Sequence, residues 1–90
     1  MQNFFDKVAE NGKEFVFKLR NGTRVGSAKS VSEFVDRIKS LPIDSIEYHF
    51  TSHHFEPWFR YLKLNDIADK LSKINTRGER LRQDILNIFR

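Results

Sequence analysis

Seventeen residues, Ile46 to Leu62 (IEYHFTSHHFEPWFRYL), hold all three histidines, the single tryptophan, both tyrosines and three of the nine phenylalanines of the chain. A chain of 90 residues buries only about 60–65% of the surface its unfolded form exposes, so its apolar residues must be used efficiently. Rings concentrated to this degree are therefore either the core or a binding surface. The rest of the chain has to supply the scaffold that seats them, and its length suits one domain, residues 1–90, with a single core.

The scaffold begins with Asn3 to Glu10, where Phe4, Phe5 and Val8 predict a short amphipathic helix ending near Gly12. Glu14 to Arg20, EFVFKLR, alternates strictly and puts Phe15, Phe17 and Leu19 on one face of a half-buried strand. Asn21-Gly22 predicts a two-residue type I′ hairpin turn, because both residues tolerate positive φ. The return strand, Thr23 to Ala28, then pairs Arg20 with Thr23, Lys18 with Val25 and Phe17 with Gly26. Small Gly26 and Ala28 leave room for helices above the strand, and Val25 falls on the outer face unless a bulge reverses it.

Helices follow. Ser30-Val-Ser-Glu33 is a capping box, and Val31, Phe34, Val35, Ile38 and Leu41 form one apolar stripe that Pro42 ends. Asp44-Ser-Ile-Glu47 repeats the capping pattern and places Ile46, His49, Phe50 and His53 on one helical face, although SIEYHF also has strand propensity. Pro57 suits the first turn of a helix from Trp58 to about Lys63. Asn65 or Asp66 caps a helix carrying Ile67, Ala68, Leu71 and Ile74, and Thr76-Arg-Gly-Glu79 opens a last helix that buries Leu81, Ile85, Ile88 and Phe89. The expected fold class is α+β: a two-stranded antiparallel hairpin, preceded by a short helix and packed against four or five helices. Its core is Phe15, Phe17, Leu19, Phe34, Ile38, Ile46, Phe50, Trp58, Leu71, Leu81 and Ile85.

Composition narrows the function. With no cysteine, disulfides, Cys-based zinc sites and thiol catalysis are excluded. No apolar run reaches the roughly 18 residues of a membrane span, and MQNFFDKVAENG lacks the pattern of a signal peptide, so the expected location is cytoplasmic without membrane contact. The net charge of +4 sits in residues 70–90, which carry six basic and two acidic side chains, whereas residues 1–69 carry ten of each. Lys70, Lys73, Arg77, Arg80, Arg82 and Arg90 could thus neutralise phosphates without reading bases, with Lys18, Arg20 and Arg24 adding a basic hairpin tip.

The chain has no nucleophile elbow, Gly-rich phosphate loop, paired-acid motif or cofactor fingerprint, so the expectation is a non-enzymatic protein without cofactor. His49 and His53, at i and i+4, have the spacing of two metal ligands on one helix, but the glutamate of HExxH is missing between them. His54 points about 100° away on the same helix. Phe55, Trp58, Phe59 and Tyr61 are of the types enriched at interface hot spots. The leading expectation is an accessory module that binds a protein partner through these rings, within a nucleic-acid-processing assembly. The alternatives are sequence-independent nucleic-acid binding by the basic C-terminal helices, and a histidine-based metal or catalytic site.

Residues 15 to about 88 resemble an uncharacterised domain family of archaea and bacteria. The likeness lies in FVFKLRNG, the Ser30–Glu33 helix start, SIEYHF with His49, the Phe55 and Trp58 pair, IADKL and LRQDIL. The family pattern has an acidic or amide residue immediately before the phenylalanine matched by Phe55, where this chain has His54. The resemblance implies a small α+β domain with His49 and Trp58 as family-type positions, and it implies no activity.

Overall fold

The computed structural model describes residues 7–89. A two-stranded antiparallel hairpin, β1 (Phe15–Lys18) and β2 (Arg24–Ala28), is followed by α1 (Val31–Ser40), α2 (Ile43–Thr51), α3 (Phe55–Tyr61), α4 (Asn65–Ser72) and α5 (Gly78–Ile88). Helix α1 packs on β2 and α2 on β1, while α5 packs against α1, α2 and α4. The α+β class is as the sequence predicts. No helix among the described residues is long and apolar enough to cross a membrane.

The predicted N-terminal helix falls partly outside the described residues, at positions 3–6; its remainder is extended. Val8 bridges Ser30 in an antiparallel manner, and the Ala9 N–H donates to Lys29 O at 2.6 Å. The Val31 N–H, an orphan donor at the start of α1, reaches Lys7 O at 3.2 Å, so backbone pairing at that helix end replaces a local helix. Ala9 turns inward and Val8 is exposed.

The hairpin closes differently from the prediction. The Gly22 N–H donates to Leu19 O and the Leu19 N–H to Thr23 O, and Gly22 has φ +92 while Asn21 stays out of the positive region. This is a three-residue loop with only its last residue left-handed, and Asn21 Oδ1 accepts the Thr23 N–H at 2.9 Å. Phe17 faces Gly26 as predicted, but the register slips beyond it: Lys18 faces Arg24, and Val25 is the extra residue of a bulge. Val25 consequently packs against the core.

Helix α1 starts as read, with Ser30 Oγ accepting the Glu33 N–H at 3.1 Å and Glu33 reaching back to the Lys29 N–H. The other two capping boxes do not form, because α2 starts one residue before Asp44 and remote partners take Glu47 and Thr76. Helix α2 begins at Ile43 behind Pro42, Ser45 bonds to Lys18 O, and Glu47 accepts the Gly78 N–H at the head of α5. A carboxylate there also suits the positive end of the helix dipole. Thr76 donates instead to Asp84, and Glu79 pairs with Arg82. Helix α4 has Leu64, not Asn65 or Asp66, at its N-cap, and α3 starts three residues earlier than predicted.

Arg82 closes the other end of α1. Its guanidinium donates to Ile38 O at 2.6 Å and Leu41 O at 2.9 Å, and its side chain is only 13% exposed. Replacing it by Met keeps the stem but strands two carbonyls, so Arg82→Met should cost about 2 kcal/mol in urea unfolding. A midpoint equal to that of the parent protein would show that the contact is decorative.

Phe34, fully buried, lies at the centre of the core with Phe15, Phe17, Phe55, Trp58, Phe59 and Phe89 around it. Of the predicted core, only Leu19 is half-buried instead of buried.

Candidate functional site at the hairpin tip and histidine pair

The outer edge of β1 meets side chains where a third strand would otherwise lie. Helix α2 turns Ile46, His49 and Phe50 inward over β1. Ser45 Oγ donates to Lys18 O at 2.8 Å, and the Lys18 N–H donates to His49 Nε2 at 2.7 Å. Both main-chain groups of Lys18 are thereby satisfied, which blunts an edge that could template another chain. His49 is 4% exposed and meets Phe15 and Phe17 edge-on.

Helix α2 ends at Thr51, and His53 adopts φ +60. That left-handed residue reverses the chain, so the His54 N–H donates to His49 O at 2.9 Å and the His54 ring folds back until the two Nδ1 atoms stand 3.0 Å apart. The predicted i, i+4 pair of His49 and His53 is therefore absent: His53 has left the helix, is largely exposed and lies 3.4 Å from Glu56. The histidine that joins His49 is His54, the one expected to point away. Among the described residues no group of three or more His, Asp and Glu is placed to hold a metal ion.

The hydrogen bonds define the proton positions. His49 Nε2 accepts, so the neutral ring carries its proton on Nδ1 and donates to His54 Nδ1. His54 then carries its own proton on Nε2. The chain runs in one direction, Lys18 N–H to His49 and His49 to His54, and ends at the Nε2–H of His54, an exposed residue. Burial, with the His54 ring and the Lys18 ammonium nearby, pulls His49 from its ordinary 6.5 down to about 4 and keeps it neutral.

Tyr48 lies against both rings, at centroid distances of 4.8 Å to His49 and 5.5 Å to His54, and the Arg20 guanidinium sits 5.8 Å over Tyr48. The bulge puts Lys18 directly opposite Arg24, and both are exposed. Among the described residues no carboxylate lies within ion-pair distance of Lys18, Arg20 or Arg24. Asp44 borders the patch on the Arg20 side, where Leu19, Arg20, Asn21 and Asp44 line an open hollow of about 390 Å³.

The residues expected to bind a partner are mostly interior. Phe55, Trp58 and Phe59 are 1%, 8% and 0% exposed, and Trp58 Nε1 donates to Lys13 O at 2.9 Å, so these rings hold the fold and do not form a surface anchor. Tyr61 is exposed, and its hydroxyl accepts the Glu10 N–H. The basic cluster is also divided. Arg82 caps α1, Arg80 pairs with Asp84, and Arg77 lies over Phe50 with one nitrogen on Thr76 O. Lys70 and Lys73 are exposed on and just after α4, and Arg90 lies outside the described residues. His54 was the residue that helical spacing missed. The signal for His54 was its place after Thr51-Ser52, where the helix stops.

No family model, curated protein or solved structure matches this chain.

Proposed function

We propose that this domain is a non-enzymatic interaction module that binds a protein partner through the hairpin tip and the adjoining histidine pair. The observation that carries this reading is the hairpin's exposed cations, Lys18 opposite Arg24 and Arg20 over Tyr48, whose ring contacts His54, with no counter-ion from the described residues. Like charges directly opposite each other in a strand pair are destabilising. A pair such as Lys18 and Arg24 is unhelpful to an isolated fold and useful to a complex that neutralises it. Arginine and tyrosine are also common interface hot-spot residues. Direct nucleic-acid binding by the C-terminal helices is the weaker reading, since Arg82 is turned inward and Arg80 is paired.

The immobilised domain should retain a protein from a lysate of its source cells after nuclease treatment and lose it in the triple variant Lys18→Glu, Arg20→Glu, Arg24→Glu. Retention by that variant would remove the hairpin tip from consideration. Recovery of nucleic acid alone, released by salt, would move the function to Lys70, Lys73 and Arg77.

A further inference from the structure

We infer that the partner segment is acidic and that His54 offers its Nε2–H as a directed donor to one of its carboxylates, while Lys18, Arg20 and Arg24 supply the attracting charge. This rests on the reading of the hairpin tip as the partner face and adds the chemistry of what docks there.

The direction of the hydrogen bonds comes first. Lys18 N–H, His49 and His54 form a chain in which each group donates to the next, ending in an N–H of the exposed His54. Such a chain polarises cooperatively, and its end is suited to an oxygen acceptor, best a charged one. His49 acts through His54 and is a positioning residue: with Nε2 held by the Lys18 amide, it can only donate from Nδ1. The charge comes second. Lys18 and Arg24 face each other across the strand pair, and Arg20 lies over Tyr48, whose ring contacts His54. An acidic segment with several carboxylates can relieve the repulsion of Lys18 and Arg24 with one of them while another accepts from His54 beside Tyr48 and Arg20.

The patch is also local. Asp44 closes it beside Arg20, and the arginines of α5 at positions 80 and 82 are engaged with Asp84, Glu79 and the end of α1. A phosphodiester backbone gains affinity from a row of cations, one per phosphate, whereas an acidic side chain needs only one donor and nearby charge.

The test is a titration of the full ¹⁵N-labelled chain with acetylated, amidated hexaglutamate at about pH 7.5 and about 50 mM salt. Long-range ¹H–¹⁵N spectra should show His49 protonated at Nδ1 and His54 at Nε2 before any addition. Hexaglutamate should then shift His54 Nε2 and the amides of Lys18, Arg20 and Arg24 saturably, and hexaglutamine should not. Arg24→Thr should weaken the apparent Kd about fivefold without lowering Tm. His54→Gln, which keeps an N–H donor, should bind nearly as the parent does, and His54→Leu about fivefold more weakly.

A His54 protonated at Nδ1, or equal binding by the Gln and Leu variants, would overturn the donor role. Shifts produced by inorganic phosphate or octathymidylate but not by hexaglutamate would overturn the acidic-peptide assignment, as would the absence of any shift. The two readings fail separately. A captured partner that depends on the hairpin cations, with no hexaglutamate binding, preserves the interaction face and removes only its acidic preference. Hexaglutamate binding without any captured partner does the reverse.

Discussion

Phe34→Ala should lower the stability of this domain by about 3–5 kcal/mol, the range for removing a fully buried aromatic side chain. Phe34 has no exposed surface, and six aromatic rings surround it at centroid distances from 4.9 to 6.1 Å. Those rings come from β1, α3 and the end of α5, so the cavity would open where the hairpin and three helices meet. Edge-to-face pairs such as Phe34 with Phe59 and Phe55 contribute beyond the area they bury. Phe50 is the comparison: it is 8% exposed and its ring lies under Arg77, away from that cluster. Urea unfolding should therefore rank Phe34→Ala clearly below Phe50→Ala. If the two variants lose the same stability, the ring cluster is not the centre of the core.

Lowering the pH from 7 to 4 should destabilise the fold by up to about 3 kcal/mol through His49 alone. The sign follows from the two states. The unfolded chain takes up this proton near 6.5, whereas in the folded protein burial, His54 and Lys18 delay it to about 4. Between those values the unfolded state binds the extra proton, so stability is full above about 6.5 and is lost as pH falls toward 4. The structural event is specific, since a protonated Nε2 can no longer accept the Lys18 N–H and the edge of β1 loses one of its two bonds to α2.

Two carboxylates act in a lower window. Glu79 is held below its ordinary value chiefly by the hydrogen bond from Arg82, and Asp84 by those from Thr76 and Arg80. Their contributions are present above the ordinary carboxylate range and fade beneath it. Urea midpoints measured from pH 7.5 to 4.5 should fall for the parent protein and be nearly level for His49→Gln, which starts lower. A level profile in the parent would rule out a neutral, buried His49.

These two residues differ in how legible they were. Phe34 follows from one local pattern, the 3.6-residue stripe after a Ser30 cap, and its burial needed no knowledge of the partner elements. His49 was recognisable as an inward residue of its helix, but its bonds were not, because Lys18 is 31 positions away. The hairpin lies between these cases. Alternation in Phe15 to Leu19 and the pairing of Phe17 with Gly26 were readable, yet Asn21-Gly22 permits more than one turn, and the three-residue form moved Lys18 from Val25 to Arg24. That single-residue slip made the cationic pair on which the proposed partner face depends.

Capping shows the same division at its sharpest. Ser30 and Glu33 are four residues or fewer from the N–H groups they accept, and that contact formed as the spacing implies. Glu47 and Thr76 carried equivalent local patterns, but Gly78 and Asp84 offered these groups better partners once the helices had packed. Likewise Arg82, one of a run of basic residues, became a cap for α1 from 41 and 44 positions away. Periodicity and short-range hydrogen bonding act within about one helical turn or one strand pair, and there the amino-acid order alone decides. Which polar group meets which across the core depends on how the apolar faces dock, so the pairing of His49 with His54 and the inward turn of Arg82 were decided only by the tertiary fold, whereas the basic hairpin tip was legible in the sequence.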